Sequence, residues 1–266
     1  MMNAKTQLDE YAVSSQFVSA AARRFSSYSA VENNALQRLL DDREPSPRAR
    51  ITDAALRRFI QSDNCSCVAA KAAITAGGYR FGYYPGFGPS IALEGVARDL
   101  AAFVAERPSI SSPYATFVAV FEELACGDER WFERNLWRIL QRLHDLDAAY
   151  NPWNATVASD PSKPDFSFSF AGTPFFIVGM HANASRQSRR FFMPALAFNA
   201  HDQFQNARQT GNFDRIVRAV RTRELRLQGS LNPELREFGT RSEARQYAGR
   251  ATEDDWKCPF RPHQPR

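Results

Sequence analysis

Residues 166–180 constrain the fold of this chain more than any other stretch. Phe166, Phe168 and Phe170 alternate strictly with Ser167 and Ser169, the period-two pattern of a strand with one apolar face. Ala171-Gly172-Thr173 supplies a turn, and a second apolar run follows over residues 174–180. Within it, Phe175-Phe176-Ile177-Val178 suits a strand buried on both faces. The two runs read as a hairpin, so the chain must build a sheet and cover it with other elements.

Those other elements are legible as alternating signals. Residues 79–84, 116–121 and 193–198 read as further strands, the second of them rich in apolar and β-branched residues. Helical spacing runs over residues 91–106 and most clearly over 128–147, where Phe132, Leu136, Ile139, Leu140 and Leu143 form one stripe. Residues 67–76 form an Ala-rich helix stopped by Gly77-Gly78. Thr52-Asp53 is a candidate cap for a helix ending at Ile60, and residues 200–226 read as helix interrupted near Gly211. Residues 5–45 read as helical from Phe17, Ala20, Ala21, Phe25, Leu36, Leu39 and Leu40, with a proline-bearing break at 43–48. The loop-rich tail beyond Gly229 has Trp256, Cys258 and Phe260 available to fold back on the core. Strands and helices without a regular βαβ cadence predict a single α+β domain: a central, mainly antiparallel sheet flanked by helices. Residues 1–50 are expected to be an N-terminal helical arm and residues 51–266 the domain that carries function.

Composition excludes several function classes. A chain of 266 residues with 44% apolar content can bury one sizeable core. Residues 1–16 contain no apolar segment of the secretory type, and no run approaches the roughly 20 residues that a membrane-spanning helix needs. Cys65, Cys67, Cys126 and Cys258 match no zinc-site spacing, which suits a reduced cytoplasmic protein. The net charge of +5 comes from 30 Arg against only 4 Lys. Arginine suits carboxylate and phosphate partners, but no nucleic-acid motif accompanies it, and neither nucleic acid nor membrane is an expected partner.

The candidate functional residues cluster at the end of the second strand. His181 leaves the most apolar run, and Arg186, Arg189 and Arg190 follow within nine residues. An imidazole beside an apolar wall, followed by guanidinium groups, meets the needs of a haem: a nitrogen for iron, apolar cover and cations for two propionates. The same pattern fits a hydrogen-bonded strand-end histidine followed by a solvated arginine loop. His144, on the long amphipathic helix beside Asp145 and Asp147, is a second candidate ligand. His201, next to Asp202 at a helix start, is a candidate distal acid or a structural residue. Cys258 beside Lys257, and Cys67 at a helix N-terminus, are candidate thiolates. Asp160, Asp165 and Glu243 could hold a cationic substrate, and His263 lies in a tail expected to be flexible. No Ser-His-Asp order, HExxH, phosphate-binding loop or dinucleotide fingerprint is present.

The chain resembles the YqcI/YcgG family over about residues 55–260. The likeness rests on short blocks in order: Cys67 to Lys71, Leu140 to His144, Asp165 to Phe170, Phe175 to His181, Ala184 to Arg186 and Arg189 to Phe191. It continues through Leu196 to Asn199, Gln228 to Pro233, Ser242 to Tyr247 and Asp254 to Phe260. Cys65-Ser66, Met180 and Asn183 depart from the family's expected pattern. The resemblance implies a haem-dependent N-oxygenase of specialised metabolism that uses O2 to oxidise a guanidine or amine nitrogen of an amino-acid-like small molecule. It implies haem b with iron bound by His181 and propionates met by Arg186, Arg189 and Arg190. His144 and His201 become alternative ligands or distal acids. Electrons would come from an external donor such as a reductase, because no flavin or nicotinamide signature is present. A haem carrier or sensor without turnover would share the same residues.

Overall fold

The computed structural model describes Leu8, Tyr11 and residues 15–123, 125–209, 211–234 and 239–263. The absence of a secretory segment at residues 1–16, and most of the helical reading over residues 5–14, therefore fall outside the described residues. Among the described residues, seven strands form one sheet: β1 (Ser29–Glu32), β2 (Ala35–Arg38), β3 (Tyr79–Pro85), β4 (Thr116–Glu122), β5 (Phe168–Phe170), β6 (Thr173–Met180) and β7 (Ala195–Ala200). Their order across the sheet is β2-β1-β3-β4-β7-β6-β5. Of these neighbouring strands β3 and β4 run parallel, and each other pair is antiparallel. This is the expected α+β architecture.

Eight helices are described around the sheet: α1 (Ala20–Phe25), α2 (Pro47–Gln61), α3 (Val68–Thr75), α4 (Leu93–Glu106), α5 (Glu129–Asp147), α6 (Asp202–Gln209), α7 (Phe213–Gln228) and α8 (Ala244–Tyr247). Successive strand residues point to opposite faces, and β4 uses both. Phe117, Ala119 and Phe121 share a core cluster with Val96, Leu100 and Phe103 of α4 and with Phe132 and Leu136 of α5. Val118 and Val120 point the other way, into a second cluster with Leu56 and Ile60 of α2. The sheet is therefore covered on both faces, as the continuous apolar run of β4 requires.

Two expectations are corrected here. The helical reading of residues 5–45 fails over β1 and β2, which form a hairpin closed by Asn33 and Asn34 at φ 49° and 64°. Asparagine tolerates this left-handed conformation, and two such residues make a tight hairpin turn. Because β1 also pairs with β3, residues 29–32 and 35–38 belong to the sheet and not to a helical arm. The second correction concerns α2. Ser46 caps it, accepting Ala49 N–H at 3.1 Å ahead of Pro47, so Thr52 and Asp53 are buried inside the helix rather than at its start.

The tail folds back on α5 as expected. Phe260 is buried among Trp137, His144, Trp153 and Phe166, and Gln141 accepts the Arg261 N–H at 2.8 Å. Among the described residues, no helix is long and apolar enough to cross a membrane.

Candidate functional site

The site is built where β6 leaves the sheet. Phe175, Ile177 and Gly179 share the face turned to α5, and His181 continues that alternation. Its imidazole stacks on Phe132, with ring centroids 4.3 Å apart and planes 16° from parallel. Phe132 stacks in turn on Phe87 at 4.9 Å and 9°. Gly179 permits this approach, since a Cβ there would lie 2.6 Å from Phe132 Cε1 and 2.8 Å from the Tyr247 carbonyl oxygen.

His181 is fully buried, and neither Nδ1 nor Nε2 has a hydrogen-bond partner among the described residues. A buried polar group without a partner carries a desolvation cost of about 1–3 kcal/mol, so each one calls for an explanation. Burial lowers the imidazole pKa to about 4; Glu129 and Asp128 oppose that shift and Arg189 adds to it. The ring is therefore neutral at pH 7, the form in which histidine ligates a metal.

A short loop covers this histidine. Asn183 Nδ2 donates to the carbonyls of Cys126 and Gly127 at 2.9 and 3.0 Å. The Ser185 N–H and hydroxyl both donate to Glu129 Oε1, at 2.9 and 2.8 Å. Asp128 caps α5 by accepting Trp131 N–H at 2.7 Å. Outside the loop lies a groove of about 660 Å³, lined by residues 126–130, Asn183, Arg250, Ala251 and Glu253. Its charges are partly paired: Arg130 with Glu253 at 2.5 Å, and Arg250 with both Glu133 and Glu253 at 2.7 and 3.0 Å. These groove residues carry no local sequence signature, because the groove joins the start of α5 to a loop more than a hundred residues later.

The three arginines expected to face propionates are occupied by protein partners. Arg186 pairs with Glu224 at 2.5 Å and donates to the Ser230 carbonyl at 2.6 Å. Arg189 donates to the carbonyls of Gly179, Tyr247 and Gln246 at 3.0, 3.4 and 3.3 Å. Arg190 Nε donates to the Ala184 carbonyl at 2.9 Å. The imidazole of His181 thus fits an iron ligand, whereas the guanidinium groups fit loop-bracing roles in this conformation.

The other candidates lie elsewhere. His201 follows β7 and donates its backbone N–H to Pro174, at the opposite end of β6 from His181; that strand length separates them by roughly 20 Å. His201 Nε2 lies 2.9 Å from Glu243 Oε2, and Tyr247 donates to Glu243 Oε1 at 2.5 Å. This buried trio ties α8 to the sheet and occupies both His201 and Glu243. His144 is three turns beyond Phe132 on α5, about 18 Å along the axis. Its Nε2 accepts the His263 N–H at 3.0 Å, and His263 Nε2 in turn meets Asp145 at 2.9 Å. The expectation of a flexible, uninvolved His263 is corrected, as is that of Asp145 or Asp147 orienting His144. Asp147 instead accepts from Asn151 and Ala171.

The two cysteines differ in environment: Cys258 is buried and Cys67 is exposed. Burial pushes Cys258 up to about 12 despite its neighbour Lys257. The exposed Cys67 accepts Ala70 N–H at 3.4 Å as the cap of α3. Asp160 is exposed and bonded to Ser162 in its own loop. Asp165 is exposed too, and its backbone carbonyl accepts from Ala158.

His144 gives the protein an acid sensitivity. Burial, with the charge of His263, lowers its pKa from 6.5 to about 4. The unfolded chain takes up a proton near pH 6.5 while the native protein resists until about pH 4. Stability is then complete above about pH 6.5, falls between 6.5 and 4, and levels off below; the loss is ~3 kcal/mol at most. Urea midpoints at pH 7 and 4.5 should show a smaller acid loss in His144→Gln than in the wild type. An identical loss in both would refute this assignment.

The sequence pattern of the YqcI/YcgG family matches residues 56–261, and the chain belongs to that family. It is 30% identical over 177 residues to a Bacillus subtilis (strain 168) protein named "Uncharacterized protein YcgG", covering 62% of this chain and 69% of that relative. The comparison with solved structures finds no significant match.

Proposed function

We propose that this protein binds haem b through His181 and, with O2 as co-substrate and an external electron donor, oxidises a guanidine or amine nitrogen of an amino-acid-like small molecule. The observation that carries the reading is the fully buried imidazole of His181 with no partner on either nitrogen among the described residues. Family membership supports it, together with the expectations that the family resemblance implies. Haem, when bound, supplies binding and activation of O2 at its iron.

The chain's own residues supply the surroundings. His181 offers a neutral nitrogen, and Phe132 and Phe87 form an apolar wall that keeps water from it. Glu129 faces the groove; its Oε1 holds Ser185, while Oε2 has no hydrogen-bond partner among the described residues. That oxygen can orient a cationic nitrogen and accept the proton that must leave before oxidation. Arg186, Arg189 and Arg190 brace the loop beside His181, and their hydrogen bonds would have to be exchanged before any of them met a propionate.

The test is expression with haem supply, followed by reduction and exposure to O2 with arginine and lysine analogues. The expected result is a coloured protein and an N-oxidised product detected by mass spectrometry. A chain that stays colourless and takes up no added hemin refutes the reading. Haem uptake without product from a broad panel favours a carrier or sensor.

A further inference from the structure

The structure carries a second surface that the haem reading does not use. Helix α7 bears Arg215, Arg218, Arg221, Arg223 and Arg226, all exposed, against one exposed acid, Asp214. None of the five has an ion pair or side-chain hydrogen bond among the described residues; the ion-paired acid of this helix, Glu224, is buried and bound to Arg186. Arg215, Arg218 and Arg221 follow one another at i,i+3 spacing, where like charges repel by a few tenths of a kcal/mol per pair. Among the exposed residues of the helix, Asp214 at i,i+4 from Arg218 is the one acid placed to offset it. The helix's apolar residues Phe213, Ile216, Val217 and Val220 are half-buried, and α7 packs on α3, α6 and the turn at Gln187–Arg189.

The arginine face is connected to the histidine loop. Glu224 Oε1 accepts from Ser188 at 2.6 Å and Oε2 from Arg186 at 2.5 Å. Gln228 accepts the Gln187 N–H at 2.9 Å and donates to the Ser185 carbonyl at 3.0 Å. A partner seated on α7 would therefore rest one layer from the loop that covers His181.

We infer that the exposed arginine face of α7 docks an acidic redox protein that delivers electrons to the His181 site. The assignment of electrons rests on the haem reading; the docking rests on charge complementarity. With haem held at His181, each encounter would oxidise the donor's redox centre by one electron and reduce the iron by one. A membrane surface is less well matched, because Leu225 is the sole exposed apolar residue of α7 and the face has little to insert.

The test uses the full chain, with and without hemin, and a plant-type [2Fe–2S] ferredoxin as the acidic probe. Calorimetry should detect association at low ionic strength that weakens as salt is added. The variant Arg215→Gln/Arg218→Gln/Arg221→Gln/Arg226→Gln should bind about tenfold more weakly or worse, with unfolding midpoint and hemin uptake unchanged. Lysine at the same four positions should retain most of the affinity. Absence of ferredoxin binding, equal binding by the glutamine variant, or tighter α7-dependent binding of duplex DNA or phosphatidylserine vesicles would overturn the proposal. A chain that takes hemin but ignores ferredoxin loses the docking proposal alone. One that docks ferredoxin but takes no hemin loses the haem reading and, with it, the electron-donor role.

Discussion

Replacing Phe132 by alanine is expected to cost about 3–5 kcal/mol of stability. Phe132 is fully buried in the larger core cluster. Its ring stacks on His181 and also on Phe87, while Gly179 leaves room for its edge. Truncation removes the aromatic contacts and leaves a cavity that the sheet and α5 are too rigid to close. For a domain whose total stability is of order 5–15 kcal/mol, this is a large share. The urea midpoint should fall steeply with an unchanged slope. A loss below about 1 kcal/mol would mean that the stack is not a structural centre.

Glu224→Ala should be nearly as damaging, by another route. Glu224 is 4% exposed and Arg186 8%, and the carboxylate accepts from Arg186, Ser66 and Ser188 at 2.5, 2.5 and 2.6 Å. Removing one member of a buried ion pair leaves an uncompensated charge and costs about 3–5 kcal/mol. Chemical denaturation should show that loss, and Arg186→Met combined with Glu224→Leu should recover much of it, since two apolar groups leave no charge stranded. If the double variant is as unstable as the single, the cost lies in the lost serine contacts and not in the stranded charge.

How much of the molecule is legible in its sequence depends on the range of the interaction. The hairpin from Phe166 to Met180 can be read because its period and its turn are local, and the structure closes it at Ala171 and Gly172 with φ 47° and 67°. Helix α5 is equally plain from its apolar stripe, and the structure adds Asp128 as its cap. The β1–β2 hairpin is hidden because Leu36, Leu39 and Leu40 also fit a helical period, which outweighs the Asn33-Asn34 turn. At the site, His181 stands out through its position after an apolar strand. The work of Arg186 and Arg189 does not, because a guanidinium can bind any nearby acceptor and theirs lie 38 and up to 58 residues away. His144 is likewise ambiguous in sequence, since the group that meets it, His263, lies 119 residues on.

Whether the buried imidazole of His181 is an iron ligand is tested most directly by hemin titration of the wild type and of His181→Ala, read by absorption spectroscopy of the ferric and ferrous–CO forms. The wild type should take up hemin stoichiometrically and show a histidine-type spectrum. The variant should lose haem or change its spectrum, with external imidazole restoring the original bands. An unchanged spectrum in His181→Ala would contradict iron ligation by this residue.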